Sequence, residues 1–312
     1  MQAEGTDLTR LVVDQRWEGE RLDLYLAGVT ELSRRAARRS VANGEVWRNG
    51  TPLRVQSRTL ESGDVIDLLH PHHELGVPRE PEIESPEILY EDPWILVAAK
   101  PAGVLSQPAE ETRAEESSFD ELVLRAIALR EGRRPFLRLL HRLDRVTSGA
   151  ILFARDPRAL PRLTRAWSAG QVERLYLAVV EGRTATGAFE IDEPIARDRN
   201  HTWRFQTDAS GKPARTDVQV LAETENGLAV VRCRLITGRT HQVRVHLASA
   251  GCPVLGDRLY GSVRAAEAIR PLLHAVSLAL PHPESGEILR VVCPPPTDLL
   301  DHIPDGLDWL SD

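Results

Sequence analysis

The stretch HRLDRVTSGAILFARD, residues 141–156, sets one carboxylate, Asp144, between two guanidiniums, Arg142 and Arg145. The apolar run Ala150-Ile151-Leu152-Phe153-Ala154 that follows has the length and composition of a buried strand. A charged tripeptide abutting a buried strand holds a side chain at a rigid address, as a catalytic carboxylate requires. The same residues also suit a surface salt-bridge cluster of little energetic worth. On their own they leave both readings open.

The surrounding composition narrows the choice. A chain of 312 residues is long enough for two or three domains and a sizeable core. No run approaches the roughly 18 apolar residues of a membrane helix, and the polar start MQAEGTDLTR lacks the apolar core of a secretory signal. Cys233, Cys252 and Cys293 are few, odd in number and far apart, which points to a reducing cytoplasm and to neither a disulfide framework nor a zinc site. The net charge of −7 argues against a nucleic-acid partner, but its distribution argues for one. Residues 31–60 carry seven Arg against Glu31 and Glu45, and residues 131–176 carry ten Arg against four carboxylates. The acidic excess sits in 74–92 and 110–121, and the only lysines are Lys100 and Lys212. Arg grips phosphate bidentately and stacks on bases, which Lys does not.

Residues 1–12 read as a tail or edge strand and 13–70 as a small domain. Glu20–Ala27 has helical spacing. Ser33 is placed to cap a helix over Arg34–Ala42 that Asn43-Gly44 ends, and Asn49-Gly50 marks a hairpin before the apolar strand Val65–Leu69. Arg34, Arg35, Arg38 and Arg39 fall on one face of that second helix, a pattern that suits either RNA phosphates or plain solvation. Residues 71–86, which follow His70 and carry His72, His73 and four prolines, read as an extended linker. A second domain spans 87–297. In it Ile88–Val97 reads as two strands around an acidic turn, 106–117 as a flexible acidic loop, and Phe119–Arg130 and Pro157–Gly170 as helices. Arg174–Gly182 reads as a strand, and Arg197, Arg199, His201, Trp203 and Arg204 form a basic, aromatic-bearing patch suited to splayed bases. Val230–Ile236 alternates like a strand, Gly238 turns the chain, and Thr240 is placed to cap a helix that ends at Gly251. Residues 298–312 read as an acidic tail with no evident role.

Four of these segments together resemble one family. HRLDRVTSGAILFA is similar to the signature of the RluA family of RNA pseudouridine synthases. Lys100-Pro101-Ala102-Gly103 resembles its first core segment, with Ala99 where Asn is common. Arg174-Leu175-Tyr176-Leu177-Ala178 resembles its second motif, and TGRTHQVRVHLA (237–248) its third. Gly211–Thr216, Pro253–Gly261 and Leu273-His274-Ala275 also match, so the resemblance covers roughly 87–297. The order helix, basic helix, NG hairpin and GD-strand in 13–70 is similar to the alpha-L RNA-binding motif. The resemblance implies an α+β protein: a mixed, mainly antiparallel bent sheet with flanking helices, preceded by a small N-terminal α/β RNA-binding domain. It implies an isomerase acting on RNA, with Asp144 as the catalytic residue, Tyr176 stacking on the target base and Arg244 pairing with Asp144 through a bidentate fork. It places Arg142, Arg145, Arg239 and His241, with Arg34, Arg35, Arg38 and Arg39, among the RNA-binding residues.

Isomerising a base oxidises nothing and transfers no group away, so no cofactor, metal or nucleotide is expected; the chain has no phosphate loop or dinucleotide fingerprint. A soluble cytoplasmic monomer is expected, acting on RNA and not at a membrane. Large-subunit ribosomal RNA is the favoured substrate, with transfer RNA as an alternative. A non-catalytic RNA-binding or ribosome-assembly protein that kept the fold is the competing class. A glycoside hydrolase acting through Asp144 would need a second placed carboxylate, and no motif supplies one.

Overall fold

The computed structural model describes residues 8–30, 32–43, 46–53, 55, 57–69, 85–108, 117–182, 187–199, 204–224 and 226–310. The linker with its histidines up to residue 84, the centre of the acidic loop (109–116), His201, Trp203 and the Arg39 side chain lie outside that set. The chain divides into two units, Met1–Glu74 with Arg197–Phe205, and Leu75–Ala196 with Gln206–Asp312.

The first unit runs β1 (Leu8–Val12), α1 (Leu22–Val29), α2 (Arg34–Asn43), β2 (Val46–Arg48), β3 (Thr51–Pro52) and β4 (Val65–Leu69). Its sheet has the order β1-β4-β2-β3. Asn49 and Gly50 both take positive φ, 51° and 78°, as a tight two-residue hairpin requires. Leu22, Tyr25, Leu26, Ala37, Val41, Ile66 and Leu68 form the core. The basic face of α2 is a different object from the one read in the sequence. The fully buried carboxylate of Asp23 on α1 accepts from Arg38 Nε at 2.7 Å, Arg34 Nε at 3.3 Å and Arg21 Nε at 2.9 Å. Burial alone would raise the Asp23 carboxyl, yet these three guanidiniums hold it well below the usual range. Three arginines around one carboxylate leave a net positive surface, but Arg34 and Arg38 also tie the two helices together. The Leu-Asp-Leu stretch of α1 hid this role, because Asp23 sits among apolar neighbours in the sequence.

The second unit runs β5 (Glu87–Glu91), β6 (Ile95–Lys100), α3 (Phe119–Glu131), β7 (Arg138–Leu139), β8 (Ser148–Ala154), α4 (Ala159–Ser168), β9 (Glu173–Glu181) and β10 (Ala188–Asp192). After the short pair β11 (Ile195–Arg197) and β12 (Phe205–Thr207) come β13 (Arg215–Glu223), β14 (Leu228–Leu235), α5 (Gln242–Ser249), β15 (Leu273–Pro281), β16 (Ile288–Val292) and α6 (Thr297–Leu300). One ten-stranded sheet has the order β10-β13-β14-β9-β15-β8-β6-β5, with β16 on β15 and β7 on β8. Its pairs are antiparallel except β15 with β8, which run parallel over His274↔Ser148 and Ala275↔Gly149. The result is α+β, with a large mixed sheet that is mainly antiparallel.

Both faces of the central strands are buried, which explains why 150–154 reads as an unbroken apolar run. Ile151 and Phe153 join a core with α3 and α5, whereas Ala150, Leu152 and Ala154 join another with α4. Strand β9 does the same: Tyr176, Ala178 and Val180 face the first core, and Leu175, Leu177 and Val179 a third. That third core corrects the reading of 298–312 as a tail without a role. Leu299 is fully buried there, Ile303, Leu307 and Trp309 pack against it, and Asp298 accepts the fork of Arg270 at 2.7 and 2.9 Å. A strand apolar on both faces needs covering on both, and the C-terminal segment covers one.

Candidate active site

A cavity of about 550 Å³ opens where the two antiparallel halves of the sheet meet. The register places its walls. Tyr176 on β9 pairs with Ala275 on β15, and Ala275 pairs with Gly149 on β8, so the coil entering β8 lies two strands from Tyr176. Gly149 has φ 128°, and a Cβ there would come within 2.5 Å of the Ala275 amide nitrogen. The TSG tripeptide is thus a close-approach element of the seam. Its Ser148 Oγ lies 2.9 Å from His274 Nδ1, while His274 Nε2 donates to the Cys293 carbonyl.

The coil 141–147 is pinned at nearly every residue. His141 Nε2 accepts the Leu152 amide at 3.1 Å, so the ring is a neutral tautomer protonated on Nδ1, and burial holds its pKa at about 3. Leu143 donates its N–H to Ser106 Oγ and accepts from it through its C=O, at 2.9 and 2.7 Å. Ser106 is therefore a buried anchor and not part of a flexible loop. The Arg145 carbonyl accepts the Gly103 N–H at 2.8 Å and Lys100 Nζ at 3.3 Å. Lys100 also donates to the carbonyls of Pro101 and Val104, so this buried ammonium ties the Lys-Pro turn to the coil, and burial lowers its pKa to about 7.

Asp144 projects from this frame into the cavity with a fifth of its side chain exposed. Burial pushes its carboxyl up, but His241, Arg244, Arg142 and Lys100 together hold it below its ordinary value. His241 is itself lowered by burial to about 4 and Lys100 to about 7, so at neutral pH Arg244 and Arg142 carry most of that effect. The Asp144–Arg244 geometry differs from the expected fork. Arg244 gives Nε and Nη2 to Asp257, at 2.7 and 2.9 Å, and only Nη1 approaches Asp144, at 3.6 Å. Burial works against the Arg244 charge, but Asp257, Asp144 and the Tyr260 ring 5.0 Å away outweigh it. Asp144 is therefore neutralised only loosely and keeps lone pairs for a substrate, while Asp257 takes the strong pairing. A fully buried ion pair such as Arg244–Asp257 is stable only when its geometry is good and both partners stay.

The structure sorts the other predicted residues. Tyr176, Arg142, Arg239 and His241 line the cavity with Asp144. Burial raises the Tyr176 phenol to about 12, so it remains neutral. Arg239 donates Nε to the Pro213 carbonyl at 2.9 Å, and His241 Nδ1 lies 2.8 Å from the Tyr260 hydroxyl. Arg145 does not line the cavity: its Nε donates to the Gly103 carbonyl. Arg34, Arg35, Arg38 and Arg39 belong to the other unit. Thr240 is not the cap of α5. His241 takes that position in the left-handed region, φ 57°. The Gln242 amide organises the loop, accepting from Arg239 N–H and Thr237 Oγ1 and donating to Arg215 O and Thr216 Oγ1.

Sequence reasoning missed Asp257, Tyr260, Trp167, Arg174 and Thr147. Asp257 lies in a stretch that resembled the family, but its pairing with a buried arginine is a contact of the fold. Thr147 Oγ1 is buried in the cavity wall without a hydrogen-bond partner among the described residues. No group of His, Cys, Asp and Glu among the described residues could hold a metal ion.

Comparison with known proteins agrees with this chemistry. The family model for RNA pseudouridylate synthase matches residues 94–249, which include Asp144, Tyr176 and Arg244. An uncharacterized RNA pseudouridine synthase of Chloroflexus aurantiacus is 36% identical over 294 residues, 93% of this chain and 90% of its own. The ribosomal large subunit pseudouridine synthase D of Xanthomonas campestris is 32% identical over 311 residues, 94% of this chain and 91% of its own. Among solved structures, human RNA pseudouridylate synthase domain containing 1 superposes with a TM-score of 0.57 at 28% identity, over 69% of this chain and 86% of its own. With a family match over half its length and relatives above 30% identity along nearly all of it, the chain belongs to the RNA pseudouridine synthases of the RluA family and is an isomerase.

Proposed function

We propose that the protein converts uridines of large-subunit ribosomal RNA to pseudouridine with Asp144 as its catalytic carboxylate. The observation that carries this reading is an ionised Asp144, loosely paired at 3.6 Å to an arginine that Asp257 holds, facing a cavity that Tyr176 also lines. In the reaction the N1–C1′ bond breaks, the uracil turns, and a C5–C1′ bond forms. The C5 proton departs and N1 gains one, so the product is an isomer. An ionised carboxylate supports the positive charge that develops on the ribose as N1–C1′ breaks, as an ion pair or by attack at C1′. A uridine inside a helix cannot reach Asp144, so the base is flipped out, at a cost of a few kcal/mol. Contact with the Tyr176 ring returns about 1–3 kcal/mol. The ribosomal assignment draws on the relatives of Xanthomonas campestris and Nitrosomonas europaea, both named ribosomal large subunit pseudouridine synthase D. The Arg21, Arg34 and Arg38 cluster around Asp23 fits a phosphate-contacting role for the first unit.

A pseudouridine map of ribosomal and transfer RNA, from cells with and without the gene, tests the proposal. One or a few ribosomal sites should disappear and return with the wild type but not with Asp144→Asn, whose RNA affinity should be nearly unchanged. Restoration by Asp144→Asn would overturn the role of Asp144. Loss confined to transfer RNA would overturn the substrate, and an unchanged map would favour a binding protein that kept the fold.

A further inference from the structure

Arg174 is the second residue of β9, two before Tyr176, so both side chains leave the same face of the strand, about 6.5 Å apart along it. Both line the cavity. Arg174 is 8% exposed, and no carboxylate pairs with it among the described residues. Its Nη2 donates to the Leu235 carbonyl at 3.1 Å and reaches Ile236 O at 3.5 Å, while its Nε has no partner among the described residues. The guanidinium carbon lies 5.2 Å from the centre of the Trp167 ring, another wall of the cavity. Nη1 points to Gly238, where a Cβ would come within 2.7 Å of it. The arrangement differs from that of Arg244, which Asp257 neutralises.

Burying a cation without an anion is costly, and burial here pulls the Arg174 pKa down against the opposing influence of Tyr176. Two carbonyls orient the head but bring no net charge. The missing charge must arrive with the substrate, and RNA carries one on every phosphodiester. A base lying against Tyr176 puts its own backbone within reach of a residue one strand repeat away. We propose that Arg174 binds the phosphodiester flanking the flipped uridine, and that Gly238 has no side chain because the guanidinium occupies the space. This rests on the cavity being the uridine site.

The test compares calorimetric binding of uridine and of uridine 3′,5′-bisphosphate to the full chain. The wild type should prefer the bisphosphate by roughly tenfold or more, the worth of one charge-assisted contact. Arg174→Gln should lose most of that preference while its affinity for uridine stays the same, and Arg174→Lys should keep part of it. Gly238→Ala, which displaces Nη1, should lower the ratio and serves as the reading if Arg174→Gln does not fold. An equal ratio in wild type and variants, or equal weakening of both ligands, would overturn the proposal, the second by making Arg174 merely structural. Tritium release from [5-³H]uridine-labelled total RNA of cells lacking the gene is run alongside. Its absence with wild-type protein would refute the isomerase reading without touching the phosphate ratio.

Discussion

Asp257 accepts four hydrogen bonds: two from Arg244 and one each from the amides of Leu259 and Tyr260. It thereby decides how much of Arg244 reaches Asp144. Asp257→Asn keeps the shape but removes the charge, and Arg244 is then drawn to the remaining carboxylate, Asp144. We expect turnover to fall by ~10²-fold, the effect of a small misplacement in an active site. Breaking a buried pair also costs about 3–5 kcal/mol, so the melting temperature should drop as well. Tritium release and calorimetry measure the two; unchanged turnover would show that Asp257 does not set the site's charge. Asp144 stood out only through the resemblance of HRLDRVTSG to a family signature, because a charged tripeptide beside an apolar run left the salt-bridge reading open. Asp257 was not legible, since nothing in GDRLYG announces burial, and Arg174 was not, since an arginine at a strand's start usually meets solvent.

Strand β8 was legible as an element, since 150–154 is apolar throughout, but its neighbours were not. A run buried on both faces carries no sign of which strands flank it. The glycine before the run holds that information: at φ 128° and in contact with the Ala275 backbone, Gly149 marks the parallel seam. Gly149→Ala meets backbone atoms that cannot turn aside, and strain plus overpacking should destabilise the protein by roughly 2–6 kcal/mol. Urea denaturation followed by fluorescence would show it, and a wild-type midpoint would mean the seam is plastic. Helix ends were less legible than strands. Thr240 has the chemistry of a cap, yet the Gln242 amide gathers the loop's polar groups and leaves His241 in the left-handed position. The face of α2 looked purely basic because Asp23, its partner, is on another helix.

Across the whole molecule, charge distribution gave a truer guide to partners than net charge did. The C-terminal segment was misread because its acidic residues obscured Leu299 and Trp309, which cover β9. The buried histidines predict a pH response. Burial lowers His141 to about 3 and His241 and His274 to about 4, against about 6.5 in an unfolded chain. Between those values the unfolded chain binds more protons than the folded one, so stability rises with pH there. Acidification from pH 7 towards 4 should therefore lower the melting temperature steadily, and His274→Asn should flatten the slope. A melting temperature independent of pH over that range would contradict the buried neutral rings. The β8–β15 seam also bears on synthesis. Ser148 and His274 are 126 residues apart, so their contact is among the last a growing chain can make. Everything upstream of residue 273 can emerge from the ribosome before β8 gains its parallel neighbour and Leu273 completes the cavity wall. A nascent chain that stops short of residue 273 therefore lacks both the parallel seam and one wall of the cavity.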